Sequence, residues 1–231
     1  MKNIEHITDL CVIGGGMAGI CTAISAARHG IKVVLVQDRG VLGGNASSEI
    51  RMWICGAHGK DNRETGIIEE IMLENFFQNP QLSYSLWDMV LFDKTARQDN
   101  LTLLLNTSCL DANTENGKII SITAWQSPCE TVHTIKARYF ADCSGDSILS
   151  TLTGAHFRYG REAESEFGES IEPKTADKKT MGMSCLFQVR ETDKPQKFTP
   201  PEWAYKYCTD DDIPFREHDL SSNFWWIETG G

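Results

Sequence analysis

A chain of 231 residues with 41% hydrophobic content can build one large domain, or one complete and one partial domain, and is not wholesale disordered. Its 22 basic against 32 acidic residues leave a net charge of −10, which argues against nucleic acid and anionic membrane as main partners. No apolar run reaches the roughly eighteen residues of a membrane span, and Met1-Lys2-Asn3-Ile4-Glu5-His6 lacks the basic-then-apolar order of a signal peptide, so a cytoplasmic setting is expected.

Leu10-Cys11-Val12-Ile13 reads as a buried strand running into Gly14-Gly15-Gly16-Met17-Ala18-Gly19. These glycines open a helical run over 17–29, which Gly30 ends, and 32–36 reads as a second buried strand. This is the strand–turn–helix–strand order that a dinucleotide fingerprint requires. Gly14 allows the tight turn, Gly16 lets the backbone approach a pyrophosphate, and Gly19 lets the helix pack closely on the sheet. At Met17 and Ala18 the helix start offers N–H groups and positive dipole to phosphate. The position closing the second strand normally holds an acid for the ribose hydroxyls. Gln37 stands there, followed by Asp38, and strand alternation lets only one of them face the adenosine. Arg39 leaves a 2′-phosphate open. A second glycine loop, Gly43-Gly44-Asn45, suits a cofactor longer than NAD that reaches over the sheet.

Farther on, 64–78 is an amphipathic helix with Ile67, Ile68, Ile71, Met72 and Phe76 on one face, ended by Asn79-Pro80. A second helix is expected over 86–98 and a strand over 101–105. Residues 109–111 and 119–125 form a hairpin around a turn at 113–117, extended by 131–137. A separate apolar strand then runs from Tyr139 into Asp142-Cys143-Ser144-Gly145-Asp146. Residues 174–179 read as a charged, solvated linker, and 181–189 as the first strand of a substrate domain. The end of the chain, 224–231, reads as a strand entering a turn and is expected to be a truncation. The fold expected is α/β, a Rossmann-type nucleotide-binding domain with parallel sheet and antiparallel meander over 1–155. A helical insertion spans residues 60–100, and an incomplete substrate domain begins at 156.

The eight cysteines form no CxxC pair and match neither zinc nor ferredoxin spacing, so no metal site is expected. Cys11, Cys109 and Cys143 lie in apolar strand patterns and read as small buried thiols.

The stretch Val34-Leu35-Val36-Gln37-Asp38-Arg39-Gly40-Val41-Leu42-Gly43-Gly44-Asn45-Ala46-Ser47-Ser48-Glu49 resembles the FAD-dependent oxidoreductase family allied to the heterodisulfide reductase flavoproteins. More distantly it is similar to the flavin domain of glutathione reductase and fumarate reductase. The resemblance implies FAD, contacted by Gly14, Gly16, Met17, Ala18, Gly19, Gln37, Asp38, Arg39, Gly43, Gly44, Asn45 and Cys109. It also implies that Ser144, Gly145 and Asp146 return to touch the flavin nucleotide. It departs from the broader pattern at Gln37, where an acid is usual. Relatives of heterodisulfide reductase are linked to iron–sulfur clusters, which these cysteines do not support.

The implied activity is flavin-mediated hydride or electron transfer between a small-molecule substrate and an unidentified electron acceptor. Residues 45–58 would face the reactive ring, with Arg51 binding an anionic substrate and His58 moving a proton near neutral pH. The plainer readings are a surface salt bridge between Glu49 and Arg51 and a satisfied loop histidine. Two alternatives stand beside this: an NAD(P)-binding dehydrogenase using Arg39, and a non-catalytic FAD-binding component of a larger redox complex. Self-association into a homo-oligomer stays open.

Overall fold

Strand segments that are apolar at every position need cover on both faces, and two of them, residues 10–13 and 33–36, lie side by side in the sheet. The computed structural model describes residues 2–52, 54–57, 59–180, 183–186, 192–212 and 226–229. β1 (Lys2–Ile13) and β2 (Val33–Val36) run parallel, Leu10 opposite Val33 and Ile13 opposite Val36. Val12 and Leu35 enter one core layer with Ile20, Ala23 and Ile24 of α1 (Met17–Arg28). Ile71 of α2 (Gly66–Gln78) and Val90 and Leu91 of α3 (Tyr84–Ala96) complete that layer. Cys11, Ile13, Val34 and Val36 enter the other layer.

The remaining strands are β3 (Leu101–Leu104), β4 (Thr107–Glu115), β5 (Lys118–Gln126) and β6 (Thr131–Asp142), giving the order β3-β2-β1-β6-β5-β4. β3, β2, β1 and β6 are parallel, while β4 and β5 form the antiparallel meander. Ile122 and Ala124 of β5, with Leu149 of α4 (Ile148–Thr153), pack on Cys11 and Val34. The meander thus folds back over one face of the parallel strands and leaves α1, α2 and α3 to cover the other.

Four sequence expectations change here. The strand expected at 131–137 and the strand expected from Tyr139 are one element: β6 pairs with β5 over 131–136 and with β1 along its whole length. Because β6 offers that full edge, β1 begins at Lys2, well before its apolar stretch. The hairpin turn narrows to Asn116 and Gly117, both at positive φ. On α2, Ile71 is buried but Phe76 is 63% exposed, so the predicted apolar face is only partly covered.

Residues 1–157 and 158–231 form two compact units. In the second, Arg161 and Asp177 exchange backbone hydrogen bonds, and the Arg161 guanidinium holds the Asp177 carboxyl down to about 2. Residues 174–179 are largely exposed, as a charged, solvated loop would be, and are tied down at Asp177. β7 (Met183–Leu186) pairs antiparallel with β8 (Trp226–Thr229). The other residues of the strands expected at 181–189 and 224–231 lie outside the described ones. Among the described residues, no helix is long and apolar enough to cross a membrane. No group of three or more His, Cys, Asp or Glu among them could hold a metal ion.

Candidate functional site

At the end of β1 the chain turns at once. Gly14 takes a φ of 101°, and its N–H donates to the Val36 carbonyl at 2.8 Å. L side chains rarely adopt that φ. A Cβ on Gly14 would also stand 2.3 Å from the Cys143 carbonyl oxygen, because the Cys143 N–H donates to Ile13 at 2.7 Å and draws the end of β6 alongside. Gly16 is different: a Cβ there would meet only the Gly44 Cα, at 4.0 Å. Its missing side chain leaves open backbone surface in front of α1. That helix has no capping side chain and no acid in its first turn, and its first internal bond runs from the Ile20 N–H to Gly16 at 2.9 Å. An uncapped helix start of this kind presents N–H donors and positive dipole to an anion. Met17 is half-buried there and Ala18 exposed.

The second glycine loop comes to meet the first. Gly43, at a φ of 108°, donates to the Gly15 carbonyl at 2.8 Å, and a Cβ on Gly44 would lie 3.2 Å from the Gly16 Cα. Asn45 is exposed beside them. The loop is held from behind by α3. Trp87 Nε1 donates to the Ala46 carbonyl at 2.7 Å, the Asp88 carboxylate accepts from the Ser48 N–H at 2.9 Å, and the Tyr84 hydroxyl donates to the Arg51 carbonyl at 3.1 Å. A Cβ on Gly43 would stand 2.8 Å from Leu91. These supports are absent from the sequence expectation. The available signal was the spacing of Tyr84, Trp87, Asp88 and Leu91, which is that of a single helical face.

Gln37 follows β2 and is 4% exposed. Its Oε1 accepts from the Gly15 N–H at 2.7 Å and its Nε2 donates to the Val41 carbonyl at 3.0 Å. The amide expected at a ribose is thus engaged between the two glycine loops, as a buried amide requires, while the neighbouring Asp38 is exposed. Arg39 Nη1 pairs with Glu49 Oε2 at 3.0 Å. This replaces the expected Glu49–Arg51 salt bridge and occupies the guanidinium considered for a 2′-phosphate. Cys109 lies opposite Ala124 on β4, and its side chain packs against the second core layer. Burial, its largest cause, pushes that thiol up to about 11.

At the end of β6, Asp142 organises the returning turn. Its carboxylate accepts from the Ser144 N–H at 3.0 Å, the Ser144 hydroxyl at 2.7 Å and the Leu149 N–H at 2.8 Å. The Ser144 hydroxyl oxygen in turn accepts from the Ile148 N–H at 3.1 Å. Gly145 and Asp146 are left exposed at the apex, and a Cβ on Gly145 would meet nothing within 4 Å.

Arg51 is exposed at a φ of 64°; its Nε donates to the Ser48 carbonyl at 3.1 Å and its guanidinium lies 5.4 Å from the Tyr84 ring centre. Cys55 and Ala57 line a pocket of about 290 Å³ walled by Met72, Leu73 and Phe76 of α2. His58 lies outside the described residues.

The profile of a family described as FAD dependent oxidoreductase matches residues 9–227. Glycerol-3-phosphate dehydrogenase of Mycobacterium leprae (strain TN) is 36% identical over 66 residues, 29% of this chain and 11% of that protein. Glutathione reductase of Schizosaccharomyces pombe (strain 972) is 48% identical over 44 residues, 19% of this chain and 10% of that protein. The matched stretches thus span about a tenth of these relatives. Among solved structures, a geranylgeranyl bacteriochlorophyll reductase-like protein from Thermoplasma acidophilum superposes with a TM-score of 0.47 at 16% identity, over 68% of this chain and 45% of that one.

Proposed function

Because the chain belongs to the FAD-dependent oxidoreductase family, whose cofactor is FAD, we propose that it seats the FAD pyrophosphate on the start of α1 and works in flavin-mediated redox chemistry. One observation carries this reading: the open backbone at Gly16, in front of an uncapped, acid-free helix start and against Gly44 of the second loop. A Cβ would fill this cradle, and an elongated diphosphate fits it. Gly14 to Gly19 would hold the pyrophosphate, Gly43 to Asn45 the stretch toward the flavin, and Ser144 to Asp146 the nucleotide from the opposite strand end.

When bound, the flavin supplies the hydride or electron chemistry on a small-molecule substrate. The chain contributes donors, orientation and exclusion of water. Arg51 is the candidate for an anionic substrate group, its guanidinium resting on Tyr84 beside the second loop. The finer kinship with the heterodisulfide reductase flavoproteins rests on residues 34–49. A cytoplasmic setting is part of the same reading, supported by the free thiols of Cys11, Cys21, Cys55, Cys109, Cys129, Cys143 and Cys208.

The experiment is purification of the protein followed by visible absorbance and release of the bound nucleotide by denaturation. Released FAD at close to one per chain is the expected result. Release of NAD(P), or of no nucleotide after incubation with FAD, would overturn the reading.

A further inference from the structure

Gln37 is clamped from every side. Its backbone N–H donates to Leu104 at 2.9 Å and its carbonyl accepts from Thr107 at 2.8 Å, which fixes where the side chain starts. The amide oxygen then takes the Gly15 N–H and the amide nitrogen serves the Val41 carbonyl. Gly15 lies within the first glycine turn, and Val41 leads into the second. A Cβ on Gly15 would fall 3.1 Å from the Gln37 Cβ and 2.5 Å from Leu42, so the three residues are in close contact.

Given the FAD reading above, we propose that Gln37 is a positioning residue for the cofactor, a latch that sets the spacing of the two glycine loops and works only with one donor and one acceptor at its tip. An amide supplies both. A glutamate, the acid more usual at this place, would keep the acceptor for Gly15. At neutral pH, however, it would set a carboxylate oxygen against the Val41 carbonyl, with no proton between two acceptors. A buried acceptor left so placed carries a desolvation penalty. The substitution that restores the usual acid therefore loosens this site. Protonation reverses the defect, because a neutral carboxyl has one donor and one acceptor, like the amide it replaces.

The test compares wild type, Gln37→Glu and Gln37→Leu by FAD titration from pH 8 to pH 5 and by amide exchange of the loops without cofactor. Gln37→Glu should bind FAD about tenfold more weakly than wild type at pH 8, a factor that corresponds to loss of one hydrogen bond. It should recover toward wild type as the pH falls, whereas Gln37→Leu should stay weak throughout. Amide exchange over residues 41–46 should follow the same order without FAD. A Gln37→Glu variant that binds FAD as tightly as wild type at pH 8, or whose weakness does not change with pH, overturns the latch. Absence of FAD binding by the wild type would instead sink the cofactor reading. In that case the latch stands or falls on loop exchange alone: compared with wild type at the same pH, Gln37→Glu should exchange faster at pH 8 and alike at pH 5.

Discussion

Gly19 and Gly14 touch so closely that a Cβ on Gly19 would sit 1.8 Å from the Gly14 carbonyl oxygen. That contact brings the first turn of α1 down onto the end of β1. It separates two glycines of one motif: Gly19 is bare because the fold has no room, whereas Gly16 has open space in front of it, where the proposed pyrophosphate would sit.

Gly19→Ala should therefore destabilise the protein itself, by about 3 kcal/mol or more, since the opposing atom is backbone that cannot swing away. Gly16→Val should unfold near the wild-type denaturant midpoint, its backbone being extended at a φ of −68° and a ψ of 179° with open space at the Cβ. It should nonetheless purify without flavin. Denaturation curves and flavin content measured on both variants check this, and equal loss of stability in the two would contradict it.

Asp142→Ala removes the acceptor that gathers Ser144 and Leu149. Its carboxylate is exposed, so the three bonds together are worth about 1–2 kcal/mol rather than the sum of buried ones. The greater effect is expected on FAD affinity, because Gly145 and Asp146 lose the frame that presents them. Asp142→Asn, which keeps one acceptor, should fall between. A flavin titration that leaves Asp142→Ala unchanged would show that this turn does not meet the cofactor.

Trp87→Phe keeps the ring on α3 but deletes the donor to Ala46, at a cost of about 1 kcal/mol. Asp88→Ala frees the Ser48 N–H. Combined, the two should release the second glycine loop and weaken FAD by more than either alone. Limited proteolysis within residues 43–51 reports the release directly.

At the far end of the sheet, His6 Nε2 and His133 Nδ1 are 2.9 Å apart, with Gln126 Oε1 3.2 Å from His133 Nε2. Burial lowers the pKa of both imidazoles, and the charges of His6 and Lys2 lower that of His133 further. Above the unfolded value of about 6.5, folded and unfolded chains both hold them neutral, and stability is complete. Below it the unfolded chain binds protons that the folded one resists, so stability falls until the lowered folded values are passed. Melting temperatures between pH 8 and pH 5 should drop for wild type, and the drop should shrink in the His6→Gln/His133→Gln double variant.

Arg39→Ala should change stability by less than about 1 kcal/mol, as exposed ion pairs do, and should leave the preference for FAD over NADP untouched. Titrating wild type and variant with both nucleotides decides it.

The sequence by itself determined the centre of the molecule. Leu10 to Ile13 and Val33 to Val36 are apolar at every position, which demands cover on both faces, and Gly14 to Gly19 between them leaves few ways to turn. Local chemistry over some thirty residues therefore specified the parallel pair, the helix and the glycine turn between them. The tertiary structure decided whatever depends on a distant partner. β1 begins at Lys2 because β6 offers it a full edge, a fact not legible in the mostly polar residues 2–9. Gln37 faces Gly15 and Val41 because the second glycine loop folds back over the first. Glu49 takes Arg39 rather than Arg51 because that same loop brings the two together across ten residues. Trp87 and Asp88 act on Ala46 and Ser48 some forty positions away. Side-chain hydrogen bonds and ion pairs need their partners within a few ångströms, and only the folding of the loops onto α3 and the sheet supplies that proximity.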